Sequence, residues 1–151
     1  MICIAIPSRG RPQFLNQLVT SALSTASKPK DVVIRYYLND DDPELSTYVN
    51  TLKQLEKQHG NSVQWTVGPD QNTVLSWEQI CDSFDADYYM LAGDEVTFET
   101  QGWDKKFDEF VIHGDYTKNI QIIYIRNKMI KNFNICEFLF FTTDMLGEKI
   151  V

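Results

Sequence analysis

Along the first ninety residues, unbroken apolar runs take turns with stretches of helical spacing. Residues 2–6, Ile-Cys-Ile-Ala-Ile, carry no polar side chain and read as a strand covered on both faces, which Pro7 stops. Apolar positions then recur at Phe14, Leu15, Leu18, Val19, Ala22 and Leu23, the spacing of one helix face, with Pro12 suited to its first turn. Residues 32–38 are β-branched and aromatic and read as a second strand. Asp42 before Pro43 reads as an N-cap with proline at N1, and Leu45, Tyr48, Val49, Leu52 and Leu55 form the stripe of a second helix that ends near Gly60. A short strand at 63–67 follows. A third helix is marked by Val74, Trp77, Ile80, Cys81 and Phe84, with Ser76 and Gln79 at capping-box spacing. A fourth strand, residues 88–91, ends at Gly93, a residue that permits a positive φ.

This β-α-β-α-β-α-β order predicts an α/β fold. It is a Rossmann-like, mostly parallel twisted sheet with helices on both faces. Further on, the pattern predicts a helix carrying Phe107, Phe110 and Val111, strands at 120–125 and 136–142, and a helix from Thr143. A length of 151 residues predicts one domain, and 43% hydrophobic content argues against disorder.

Charge changes the picture. The formal net charge is -7, which disfavours a nucleic-acid groove. It is unevenly spread. Residues 1–35 hold Arg9, Arg11, Lys28, Lys30 and Arg35 against Asp31 alone, whereas residues 82–109 hold nine acids and two lysines. An anionic ligand could meet the basic loop together with a cation held by the acidic stretch. Cys3, Cys81 and Cys136 are widely spaced and make no zinc pattern. Cys3 and Cys81 sit in apolar patterns and read as core residues, which fits a reducing, cytoplasmic location. No run is long and apolar enough for a signal peptide or a transmembrane segment.

Parallel topology places the loops after successive strands on one edge of the sheet, where open α/β folds bind ligands. The first loop carries Pro7, Ser8, Arg9 and Arg11, and a guanidinium fork matches phosphate oxygens. It is neither a P-loop nor a dinucleotide fingerprint. The second carries Asp40, Asp41 and Asp42. The first two could accept from a base N–H or a ribose hydroxyl, and the third reads as a cap. The third loop, residues 68–72, is small and polar and ends in Asn72. Trp77 beyond it reads as core. The fourth carries Gly93, Asp94 and Glu95. Here two roles stay open, a polar turn or oxygen ligands for a hard cation. An acidic site holds a diphosphate only with a cation between them, so Mn²⁺ or Mg²⁺ is the expected cofactor.

With these motifs in this order, the chain resembles the GT-A fold nucleotide-sugar glycosyltransferases, in particular the inverting family-two-like enzymes, including short viral members. The resemblance rests on Ile4-Ala5-Ile6-Pro7-Ser8-Arg9-Gly10-Arg11-Pro12, the acids after the second strand, Asn72 to Trp77, Met90-Leu91-Ala92-Gly93-Asp94-Glu95 and Gly102-Trp103-Asp104, all within residues 2–104. It implies a metal-dependent transfer of a sugar from a nucleoside-diphosphate sugar, UDP- or GDP-linked, to an acceptor. It implies that Pro7, Ser8, Arg9, Arg11, Asp40, Asp41, Asn72 and Gly93 frame the nucleotide. Asp94 would take the last position of the family's D-x-D metal motif, with Glu95 beside it. Residues 1–95 would be the nucleotide-binding half and 96–151 an incomplete acceptor side.

Two departures stand out. Ala92 occupies the first D-x-D position. Asp144 and Glu148 are the only acids after Thr143, and neither can be placed as the base that inversion requires. Those departures also support a non-catalytic nucleotide- or sugar-binding module of the same fold. A sheet edge left exposed by a short carboxyl-terminal region points to a homodimer.

Overall fold

Four apolar strands pair in parallel, and their order, not their sequence, sets the architecture. A computed structural model describes residues 1–113 and 139–142. The strands are β1 (Ile2–Ser8), β2 (Val32–Asn39), β3 (Val63–Gly68), β4 (Tyr88–Leu91) and β5 (Leu139–Thr142), in the spatial order β3-β2-β1-β4-β5. The first four are parallel to their neighbours and β5 runs antiparallel on β4. The helices are α1 (Leu15–Thr25), α2 (Leu45–His59), α3 (Thr73–Asp82) and α4 (Trp103–His113). The expected α/β, mostly parallel sheet is therefore what the chain forms. The expected strand at 120–125, Cys136, the helix from Thr143, and Asp144 and Glu148 lie outside the described residues, as do the side chains of Phe110 and Val111.

Strand alternation divides the interior in two. On one face Ile2, Ile4 and Ile6 of β1 and Val32, Ile34, Tyr36 and Leu38 of β2 pack with α1 and α2, and Trp103 and Phe107 of α4 join the same cluster. On the other face Cys3, Ala5, Tyr37 and Tyr89 pack with Ile80 and Cys81 of α3. Helices thus cover both faces. Cys3 and Cys81 are free, buried thiols, each pushed up to about 12 by burial, and behave as the small core residues expected of them. No helix among the described residues is long and apolar enough to cross a membrane.

The structure corrects three local expectations. Pro7 does not stop β1, which runs on to Ser8. The Ala5 carbonyl accepts from Ala92 N–H, so residue 7, two places along, turns its nitrogen to the same side. The ladder to β4 ends at Ala5, so the missing N–H of Pro7 costs no bond there. The cap of α3 is Asn72, whose side-chain oxygen accepts from Leu75 N–H at 3.0 Å; Ser76 donates to the Asn72 carbonyl instead of heading a capping box. Helix α2 begins at Leu45, after Pro43, yet one Asp42 oxygen still accepts from Glu44 N–H at 2.9 Å in the manner of a cap.

The Gly102-Trp103-Asp104 triplet docks α4 on the end of α1. A helix leaves its last four carbonyls without intrahelical partners. The Trp103 indole N–H fills one of them, Ala22, at 3.0 Å, and Gly102 N–H fills another, Thr25, at 2.7 Å. The buried Asp104 carboxylate then accepts from Ser27 N–H at 2.7 Å and Lys28 N–H at 2.8 Å, fixing the chain as it leaves α1. Asp104→Ala removes two charge-assisted bonds, and water can reach the exposed Lys28 N–H. We expect a loss of about 1–3 kcal/mol in urea unfolding; a loss below about 0.5 kcal/mol would show that this junction contributes little.

Candidate nucleotide and cation site

The strand order reverses at β1. From β1 the chain steps to β2 and β3 on one side, then returns to place β4 on the other. In open sheets the carboxyl edge at such a reversal splays the loops apart and leaves a crevice. Here the last residue of β1, Ser8, faces the first loop residues after β4.

Ser8 Oγ donates to Asp94 Oδ2 and lies 2.7 Å from the Tyr48 hydroxyl of α2. The same tyrosine oxygen accepts from Arg11 N–H at 2.8 Å. Arg11 then folds its side chain back, with Nη2 2.9 Å from Asp94 Oδ1 and Nη1 3.5 Å from Glu95 Oε2. Asp94 has 1% of its surface exposed, against 49% for the Arg11 side chain. Although Arg11 is close, Asp94 Oδ1 receives no aligned hydrogen bond from the described residues.

A second ionic cluster sits one loop away. Arg9 grips Asp41 through both guanidinium nitrogens, Nη2 at 3.0 Å, and reaches Asp70 at 3.3 Å. Asn39 donates its amide to the same Asp70 oxygen. Gly10, at φ +69, makes the left-handed turn that sends Arg9 and Arg11 to different loops, and its N–H donates to Asp42 Oδ2 at 2.7 Å.

All four strand-end loops therefore meet, as the topology required. Ser8, Arg11, Asp94 and Glu95 come together, and Arg9 and Asp41 form the neighbouring pair. Asp40 is exposed, held by its backbone N–H to the Gly68 carbonyl at 2.7 Å. Asn72 spends its side-chain oxygen on the α3 cap. Pro7 lies in β1. Of the tight or positive-φ backbone that Gly93 permits, the structure does not use the left-handed region; a Cβ there would come within 3.1 Å of the Glu95 carboxylate, so the small residue makes room for that side chain. Trp77 is partly buried and donates to the Ala5 carbonyl at 3.1 Å, in keeping with a core role.

Four participants escaped sequence reasoning. Tyr48 was legible only as part of an apolar stripe, and nothing in a pattern shows where a hydroxyl points. Asp42 had one oxygen explained by the cap, but not the other. Asn39 and Asp70 carry no distinguishing spacing.

The electrostatics follow from burial. Burial pushes the Asp94 carboxyl above the usual carboxylate range, and its bond to Glu95 adds to the shift. Glu95 moves the other way, held below its usual range chiefly as acceptor from Asp94. Arg9 holds Asp41 below the usual range through their hydrogen bonds. The Tyr36 hydroxyl is buried without a partner among the described residues and is raised, first by burial and next by the Asp94 charge.

The residues fit a hard divalent cation as part of a shared shell. Asp94 Oδ1 is a buried oxygen that receives no aligned hydrogen bond among the described residues, with Arg11 as its ionic partner, and Glu95 adds a second carboxylate beside it. Among the described residues no three His, Cys, Asp or Glu side chains form a ready-made cage. Ala92 packs in the core and supplies no ligand. Two carboxylates with the remaining positions left to phosphate and water is the usual manner of Mg²⁺ and Mn²⁺.

No protein-family model matches the chain, and neither does any curated protein sequence. Solved structures do match. The mannosyltransferase PcManGT from Pyrobaculum calidifontis, in complex with GDP-Man and Mn²⁺, aligns with a TM-score of 0.70 at 7% identity, over 97% of this chain and 45% of that one. TarS 1-349 from S. aureus aligns with a TM-score of 0.63 at 9% identity, over 97% and 48%. A cytidylyltransferase from Leptospira borgpetersenii aligns with a TM-score of 0.54 at 12% identity, over 97% and 61%. The chain spans less than half the length of the two glycosyltransferase chains. These likenesses establish the fold, that of the GT-A nucleotide-sugar transferases.

A carboxyl whose folded pKa is raised stabilises the fold only where it is protonated, and that contribution is lost as pH rises through the folded value. Ionised Asp94 therefore costs the ligand-free protein stability at neutral pH. Asp94→Asn keeps the shape, and its amide can donate to Glu95. It is expected to raise the unfolding midpoint at pH 7, with the gain shrinking towards the ordinary carboxylate range near pH 4. A lower midpoint at pH 7 would contradict the assignment.

Proposed function

We propose that this chain forms the donor side of a glycosyltransferase, binding a nucleoside-diphosphate sugar with the help of a divalent cation and presenting the sugar for transfer to an acceptor. The observation that carries the reading is the meeting of Ser8, Arg11, Asp94 and Glu95 at the reversal point of the sheet, with a buried carboxylate oxygen left without an aligned hydrogen bond. Glycosyltransferase neighbours solved with UDP or with GDP-Man and Mn²⁺ support it.

In this reading Arg9 and Arg11 bind the diphosphate oxygens, and Asp40 and Asp41 accept from the ribose or base, with Pro7 and Gly93 keeping the backbone close. Asp94 and Glu95 hold the cation, and Ser8 and Tyr48 hold Asp94 in place. When bound, Mn²⁺ or Mg²⁺ would offset the charge that builds on the departing nucleoside diphosphate. The chain's own groups orient the donor and shield its phosphates from the surrounding carboxylates.

Ala92 favours a second reading, a nucleotide- or sugar-binding module of the same fold without catalysis, because the D-x-D position it occupies supplies no ligand. The two separate on donor turnover. Both expect binding, and only the first expects release of UDP or GDP from the sugar nucleotide.

A thermal-shift series with UDP and GDP, with Mn²⁺ or with EDTA, tests the shared part. At about a hundredfold excess over Kd, binding adds about 2.7 kcal/mol, which for a domain of this size raises the midpoint by about 5–10 °C. The shift should need Mn²⁺ and vanish in Asp94→Ala. No shift with either nucleotide under any condition would remove the reading.

A further inference from the structure

Arg11 stands between two duties. Its one guanidinium spans both carboxylates that would hold the cation, at 2.9 Å from Asp94 and 3.5 Å from Glu95. A divalent ion cannot take Asp94 Oδ1 while that guanidinium sits against it, since like charges on one oxygen repel at short range. Asp94 is 1% exposed and bonded to Ser8, so it cannot swing out to meet the ion. Arg11 is long and half exposed, and among the described residues its side chain makes these two ionic contacts. The partner free to move is the arginine. Arg9 is different: its fork is taken by Asp41 and Asp70, away from both Asp94 and Glu95.

We infer that Arg11 is an exchangeable counter-ion of the site: it neutralises Asp94 and Glu95 in the ligand-free protein, yields them to the divalent cation, and passes its guanidinium to the diphosphate. The inference rests on the donor-site reading and deepens it. A cation arriving alone must evict the guanidinium, and a diphosphate arriving alone must draw it off two carboxylates and leave them bare. Arriving together, each ligand removes the cost of the other. Cation and nucleoside diphosphate should therefore bind with positive coupling, and Arg11 should add to the coupling that direct cation–phosphate contact supplies.

The test measures Mn²⁺ binding to the full chain by the loss of the free-ion EPR signal, with and without UDP or GDP, in wild type, Arg11→Gln and Arg9→Gln. Arg11 is half exposed, so the substitution leaves the core untouched. For Arg11→Gln we expect opposite signs. Mn²⁺ alone should bind about two- to fivefold more tightly, the scale of a partly exposed ion pair removed. The nucleotide at saturating Mn²⁺ should bind about tenfold or more weakly, the scale of a charge-assisted hydrogen bond lost. The coupling factor should fall severalfold, leaving the part that cation–phosphate contact supplies. Arg9→Gln should weaken the nucleotide and leave Mn²⁺ alone unchanged.

Unchanged or weaker Mn²⁺ binding in Arg11→Gln, or a coupling factor that the substitution does not reduce, overturns the exchange while leaving the donor site standing. Nucleotide binding in EDTA as tight as in Mn²⁺ overturns it too, because Arg11 would then be the site's permanent cation. Failure of wild type to bind UDP or GDP under any condition overturns the parent reading, and the exchange with it.

Discussion

A carboxylate with almost no exposed surface must find partners or surrender its charge, and Asp94 does some of each. Its partners come from three separate stretches: the end of β1 through Ser8, the following loop through Arg11, and its neighbour Glu95. None of these is near Asp94 in sequence except Glu95. They meet because β1 lies between β2 and β4, so the chain must turn back past its own first strand. Tyr48 of α2 braces the arrangement from the packed face, joining Ser8 to the Arg11 backbone. The crowded corner is thus a direct product of strand order, and the helices fix it in place. Solved structures of a mannosyltransferase and of a cytidylyltransferase both align with this fold, so the fold by itself does not fix the chemistry at its edge.

Much of the fold was legible because period carries it. Apolar runs gave strands covered on both faces, and the stripes of α1, α2 and α3 packed as their spacing required. The convergence of four loops followed from parallel pairing alone. Local backbone chemistry was less legible. Pro7 looks like a terminator until the ladder to β4 is seen to end at Ala5. Ser76 matches a capping box, but Asn72 stands one turn earlier with the better geometry. Gly93 permits a tight or a positive-φ backbone, and nothing in the pattern showed that it gives room to Glu95. In the site, charged residues could be named, but not paired. Nothing in the sequence says that Arg9 goes to Asp41 and Arg11 to Asp94; the left-handed turn at Gly10 decides it.

The Gly102-Trp103-Asp104 triplet shows how a motif can be structural in every member. Two of its three groups satisfy carbonyls that α1 leaves open, and the third holds the next two backbone N–H groups. With α4 fixed there, Phe107 reaches Tyr88 of β4 edge-on at 5.1 Å between ring centres. The strand that delivers Asp94 is thereby supported by a helix that stands apart from the site's described contacts.

The tyrosine at the end of β2 has a quieter consequence. The Tyr37 side chain occupies the space that any side chain on Gly68 would need, with its phenol oxygen nearest to where a Cβ would stand, and its hydroxyl donates to the Pro69 carbonyl at 2.9 Å. That single ring wedges the start of the third loop and ties it down at the next residue. Asp70, and through it the second grip on Arg9, hangs from this tether. The layer beneath α3 therefore acts as a ruler for the rim above: one buried ring sets the height at which the third loop, and Asp70 with it, leaves the sheet.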